Sequence, residues 1–327
     1  MQSRFFRTRD GLQLHYLMHP CLGYPTAAAD CASYCILLHG FTNDAHVWDR
    51  LAADLQHSHH VIALDQRGHG DSDWDPERKY SHWQLAEDLQ GFLGEIHNAR
   101  VHIVGHSLGA RVAVLALESI RCPVASLTLV DAGPEVSPEA ADRLVNDVMQ
   151  MPEYYCDTQA YLDCLSRIYV MGDTEALAHV ARFGLRVNQG RLRTKTDPAF
   201  TPGIWHKNLE FREQHQDRGE LGEQIWKALR ALDLPVHIVR GQASSILEPA
   251  LALNMLNALG DRGVLSVVPR AGHAVMLDNP NKSTALIANF IAKFSHITNT
   301  IAKPIAIKSA DMSDDPARSE KELEFRV

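Results

Sequence analysis

The chain has 327 residues, 45% of them hydrophobic and 22% charged, a composition that fits a globular protein with one large α/β domain or two smaller ones. Its formal charge of −8 offers no electrostatic attraction for phosphate backbones or anionic lipid, so nucleic acid and membrane surfaces are not expected partners. No segment reaches transmembrane length and the N-terminus, MQSRFFRTRDGLQLHYL, lacks the apolar run of a signal peptide, so a cytoplasmic protein is expected.

Short apolar runs alternate with helix-period segments along most of the chain, the pattern of a mostly parallel sheet with helices on both faces. Residues 12–18 and YCILL (34–38) read as strands, and the second runs into His39-Gly40-Phe41. VIAL (61–64) leads into DQRGHGDS, where an arginine among glycines in a tight loop reads as scaffolding, with Arg67 pairing Asp65 or capping carbonyls. Ser81 and Gln84 (SHWQ) form a capping-box signature ahead of a helix near 82–96.

The sharpest signal is VHIVGHSLGA, residues 101 to 110: a buried-strand pattern, then Gly105-His106-Ser107-Leu108-Gly109, then a helical stripe. This G-x-S-x-G spacing puts a serine on a strained strand-to-helix turn, with glycines where the neighbouring backbone crowds in. The Ser107 hydroxyl then stands at a helix N-terminus, where the N–H of Leu108 can donate to an oxyanion. The Phe41 N–H, after the earlier strand, is the expected second donor.

LTLV (127–130) ends on Asp131. Residues 135–224 then depart from the alternation, with amphipathic stretches such as RLVNDVMQM, and read as an inserted helical region. Its Tyr154, Tyr155, Tyr161, Phe183, Trp205 and His206 are candidate pocket lining, with Tyr155, Trp205 and His206 foremost, although aromatic residues at such spacing commonly pack within their own segment. HIV (237–239) and LSVV (265–268) are further strands. The loop after the second turns on Pro269 and Gly272 and presents His273, the best placed of 18 histidines to act as general base for Ser107, before a helix near Asn279. Residues 299–327 are rich in charge, Ser and Ala and read as a mobile tail. Six cysteines, Cys21, Cys31, Cys35, Cys122, Cys156 and Cys164, show no metal-type pairing and read as buried hydrophobes and free thiols; no metal or other cofactor is expected.

Together HGF (39–41), DQRGHGDS (65–72), GHSLGA (105–110), LVDAGPE (129–135) and GHAVMLDNP (272–280) resemble the α/β-hydrolase superfamily in order and spacing. The resemblance covers residues 1–134 and 225–298. It implies an α/β-hydrolase fold, a mostly parallel eight-stranded sheet flanked by helices with a helical cap inserted after the sixth strand, and a Ser-acid-His triad in which Ser107 and His273 match nucleophile and base.

The acid is where the sequence departs from the pattern. Close relatives carry Asp in a loop of the form RG-x-x-S-D-x-L, and that register here reads Arg240-Gly241-Gln242-Ala243-Ser244-Ser245-Ile246-Leu247, with Ser245 at the acid position. An imidazole without its carboxylate partner loses on the order of 10⁴-fold in a well-studied protease. Three answers stand: Asp131, since some branches of the superfamily keep their acid at that strand end; Glu248, three residues further along the loop; or no acid at all. Asp131 is favoured.

The expected activity is a carboxylesterase- or lactonase-like serine hydrolase acting on a small, largely apolar ester, thioester or lactone, with a small molecule as its partner. The alternatives are C–C bond hydrolysis or a lyase reaction on the same fold, or a ligand-binding protein with a relict triad. Haloalkane dehalogenation would need a carboxylate where Ser107 stands.

Overall fold

In YCILL the side chains alternate between two faces, and both faces are dry. Cys35 and Leu37 pack into one apolar layer and Ile36 and Leu38 into the other, all four fully buried. The same division recurs in each central strand, which is why these strands read as continuous apolar runs. The structure, a computed structural model, describes residues 1–23, 33–97, 99–118, 124–200 and 218–295.

Eight strands form one sheet: β1 (Gln2–Arg7), β2 (Gln13–His19), β3 (Ser33–Leu38), β4 (His60–Leu64), β5 (Arg100–His106), β6 (Val124–Val130), β9 (Val236–Gly241) and β10 (Gly263–Val268), in the order β1-β2-β4-β3-β5-β6-β9-β10. The β1–β2 and β2–β4 pairings are antiparallel and the rest parallel. One face is covered by α2 (His82–Gly94), α3 (Leu108–Leu117), α7 (Arg218–Ala231) and α8 (Pro249–Leu259). The other is covered by α1 (Asp49–Leu55), the short α9 (Val275–Asp278) and α10 (Pro280–Lys293). This is the α/β-hydrolase fold implied by the motifs. Among the described residues no helix is long and apolar enough to cross a membrane.

Between β6 and β9 the chain forms α4 (Pro138–Met149), α5 (Thr158–Ile168) and α6 (Thr174–Phe183), then a hairpin of β7 (Leu185–Asn188) and β8 (Arg191–Thr194). The hairpin is absent from the helical expectation for this segment. Gln189 and Gly190, both at positive φ (50° and 75°), make its two-residue turn.

Two local expectations need correction. Ser81 Oγ accepts from Gln84 N at 3.2 Å, but the Gln84 side chain turns to Glu87, so only half of the capping box forms. Arg67 is scaffolding, fully buried, but its partners are not Asp65. It holds Asp88 bidentately at 2.6 and 2.7 Å, Asp75 at 2.8 Å and Asp10 at 3.0 Å, and reaches the Lys79 carbonyl. Asp65 instead accepts from His15 Nδ1 and from the N–H groups of Ala45 and Asp71.

Candidate active site

At the end of β5 the chain must reverse into α3 within one residue, and Ser107 takes that turn at φ 51°, ψ −113°. This backbone conformation is sparsely populated for any residue with a side chain. The flanking glycines explain how the turn fits. A Cβ on Gly105 would lie 2.5 Å from Gly109 O, and one on Gly109 would lie 2.6 Å from Leu38 O, both impossible contacts. Small residues therefore let β5, α3 and β3 meet, and the Ser107 Oγ is left standing clear at the helix start.

From the far end of the sheet, the loop between β10 and α9 brings His273 to Ser107. His273 Nε2 lies 3.0 Å from Ser107 Oγ, and His273 Nδ1 lies 2.8 Å from Asp131 Oδ2. Asp131 directly follows β6, itself at positive φ (48°), and its side chain is fully buried. The carboxylate is satisfied on both oxygens: Gly241 N donates to Oδ1 at 2.9 Å, and Ser244 Oγ donates to Oδ2 at 2.5 Å beside the imidazole. Three donors around one buried carboxylate compensate its loss of water.

The loop RGQASSILEP thus lies against the His273 loop without bringing a carboxylate to the imidazole. Ser244, not singled out from the sequence, holds Asp131, whereas Ser245 faces the cavity. Glu248 caps the start of α8 as an exposed residue, its backbone carbonyl accepting from Ala252 N, and is not brought to the imidazole.

His106 is a second residue the sequence reading passed over, although it lies within GHSLG. Its Nε2 donates to the His273 carbonyl at 3.0 Å, and its ring lies 4.7 Å from the His273 ring. Burial, with the neighbouring His273 adding to it, pushes the His106 imidazole well below its ordinary range, so it stays neutral and tethers the histidine loop to the elbow.

Asp278 fixes the same loop from the other side, its Oδ2 accepting from Gly272 N at 2.7 Å. Burial raises its carboxyl to about 6 against the opposing pull of that N–H. A carboxyl whose folded value is raised stabilises the native state below the unfolded value of 3.8 and loses that contribution as pH climbs through about 6. Asp278→Asn keeps an acceptor for Gly272 and removes the titration. Its melting temperature relative to the parent should therefore rise between about pH 4 and pH 7; a difference that is flat with pH would refute this.

Two cavities, of about 270 and 260 Å³, meet at Ser107 and share Phe41, Leu144 and Ile246. The first is walled mainly by apolar groups such as Leu108, Val136, Phe200 and Leu221, with Arg111 and His82 also in its lining. The second holds His273, Asn43, Tyr161, Tyr169, Arg143 and Asp278. Phe41 and Leu108 both reach Ser107's cavity, and Leu108, as the first residue of α3, carries one of the N–H groups that a helix cannot satisfy internally.

Of the aromatic candidates, Tyr161 lines the second cavity. Tyr155 is buried away from both, its hydroxyl on Cys164 Sγ and its backbone paired with Leu192, so it belongs to the packing of its own segment. Phe183 stacks on His46, and Tyr154 lies under Arg191. Trp205, His206 and the 299–327 tail lie outside the described residues.

The family described as "Alpha/beta hydrolase family" matches residues 35–285. The chain is 30% identical over 256 residues to the 2-(acetamidomethylene)succinate hydrolase of Mesorhizobium japonicum, covering 78% of this chain and 87% of that protein. It is 28% identical over 251 residues to the esterase Rv0045c of Mycobacterium tuberculosis, covering 75% and 78%. A crystal structure of E-2-(acetamidomethylene)succinate hydrolase superposes with a TM-score of 0.74 at 27% identity, covering 89% of this chain and all of that one.

Proposed function

This chain belongs to the alpha/beta hydrolase family, and from that membership we propose that it is a serine hydrolase, cleaving a small, largely apolar carboxylic ester, thioester or lactone through an acyl-enzyme on Ser107. The observation that carries the proposal is the unbroken chain from Ser107 Oγ through His273 to Asp131, at 3.0 and 2.8 Å.

In this mechanism His273 Nε2 takes the Ser107 proton as Oγ attacks the substrate carbonyl, and the buried Asp131 carboxylate stabilises the imidazolium and fixes its tautomer. The N–H groups of Phe41 and Leu108 receive the oxyanion, the latter aided by the positive end of α3. As the tetrahedral intermediate collapses, His273 returns the proton to the leaving alcohol or thiol. Water, deprotonated by the same imidazole, then releases the acid and regenerates Ser107.

The segment between β6 and β9 acts as a cap in this reading and sets substrate choice, since Leu144, Tyr161 and Tyr169 from it face the cavities. The largely apolar lobe takes the acyl chain and the more polar lobe the leaving group, and a volume near 270 Å³ limits each to a small group. The relict-triad reading rested on the missing charge at Ser245, and Asp131 supplies that charge from the neighbouring strand.

A second reading changes the bond, not the residues. One relative is named a 2-(acetamidomethylene)succinate hydrolase, and Arg111 and Arg143 line the two lobes here, cations suited to a carboxylate. A panel of uncharged esters, thioesters and lactones beside carboxylate-bearing esters and amides, followed by product mass, separates the readings. Turnover concentrated on uncharged acyl esters supports the first; turnover only on carboxylate-bearing amides supports the second; no hydrolysis of any class contradicts both.

A further inference from the structure

Outside the catalytic chain, one cluster of side chains joins the sheet layer to the segment between β6 and β9. His46 precedes α1, Asp49 opens α1, and His179 projects from α6. His46 Nδ1 lies 2.8 Å and His179 Nε2 2.7 Å from the same oxygen, Asp49 Oδ2. The other oxygen, Oδ1, is buried with no hydrogen-bond partner. Behind the cluster His19, 6% exposed, is electrostatically coupled to both Asp49 and His46, and its own Nε2 is buried without a partner. Phe183 stacks on His46 at 3.7 Å and fixes the ring plane.

As a purely hydrogen-bonded brace this arrangement is poorly satisfied: two donors crowd one carboxylate oxygen while its twin is left bare. Two imidazole nitrogens and a carboxylate are, however, a donor set suited to borderline divalent metals. We propose that His46, Asp49 and His179 form a binding site for a divalent transition metal of the zinc type, which cross-links α1 to α6. The three donor atoms already lie within 4.8 Å of one another. Metal–ligand bonds of about 2.0–2.2 Å set tetrahedral donors roughly 3.3 Å apart, so each imidazole nitrogen has to draw back from Asp49 Oδ2 by only about half an ångström. Each imidazole gives up the proton on the nitrogen that faces the carboxylate. A neutral ring regains one on its other nitrogen, and a protonated ring releases it to solvent. The side chain of His179 is 39% exposed, which leaves the ion a path in.

The test uses the full chain, stripped with chelator and titrated with Zn²⁺ by calorimetry and thermal melting, and with Co²⁺ by visible absorption. The expected result is one saturable site, a rise in melting temperature, and a Co²⁺ spectrum of low-coordinate nitrogen and oxygen ligation. His179→Gln, which keeps a hydrogen-bond donor for Asp49 and so preserves the fold, and Asp49→Asn should each weaken binding by about tenfold or more. His273→Ala should leave binding intact. Stripped His179→Gln should hydrolyse substrate within about twofold of the parent, because His179 is not part of the catalytic chain. The proposal is overturned if the parent shows no saturable site, if both cluster variants keep full affinity, or if His273→Ala is the variant that loses it.

Discussion

Replacing Ser107 by glycine should stop turnover and stabilise the fold at the same time. Turnover should fall by about 10⁴-fold or more, because the nucleophile is gone and only binding and the oxyanion donors remain. Stability should rise by about 1 kcal/mol, since Ser107 sits at φ 51°, ψ −113°, a strained conformation for a residue with a Cβ and an ordinary one for glycine. Ser107→Ala should match the loss of activity without the gain in stability, as it keeps the Cβ. Denaturant midpoints and steady-state rates on the two variants check both halves. If either variant keeps more than about a tenth of the parent kcat, the nucleophile has been misassigned, and if glycine is no more stable than alanine the elbow stores no strain.

Asp131→Asn should depress kcat by about two orders of magnitude or more. The amide cannot compensate the imidazolium, and it also turns a donor toward a site where His273, Ser244 and Gly241 already donate. Glu248→Gln should change little, because Glu248 is exposed at the head of α8. The stricter variant adds Ser245→Asp to Asp131→Asn, since Ser245 lines the same cavity as His273. Partial recovery of kcat there would put one histidine within reach of a carboxylate from either strand end. A near-normal rate in Asp131→Asn alone would reduce Asp131 to a structural residue.

What the sequence disclosed follows from burial. Strands with both faces covered, such as β3, β5 and β6, announce themselves as continuous apolar runs. β1 is half exposed at the sheet edge, and β7 and β8 form a separate two-stranded sheet, so none of the three has a pattern strong enough to stand out from its surroundings. The positions of Ser107 and His273 were legible because the roles proposed for them need fixed neighbours in the chain: glycines around a strained turn, and a loop directly after the last strand. Asp131 could be proposed only through the family resemblance, in which some branches keep their acid at that strand end, since its claim depends on the distance between two strand ends, which local sequence does not encode. Ser244 and His106 were missed for the same reason. Each acts through one hydrogen bond to a residue far along the chain, Ser244 to Asp131 and His106 to His273.

In the proposed mechanism Ser107, activated by His273 and Asp131, forms a covalent intermediate. The most direct measurement is reaction of the intact chain with a fluorophosphonate probe, followed by whole-protein mass and peptide mapping. A single adduct is expected on Ser107, formed rapidly in the parent, slowly in Asp131→Asn and not at all in Ser107→Ala. Folded parent protein that takes up no probe, or that carries the adduct on another residue, would contradict it.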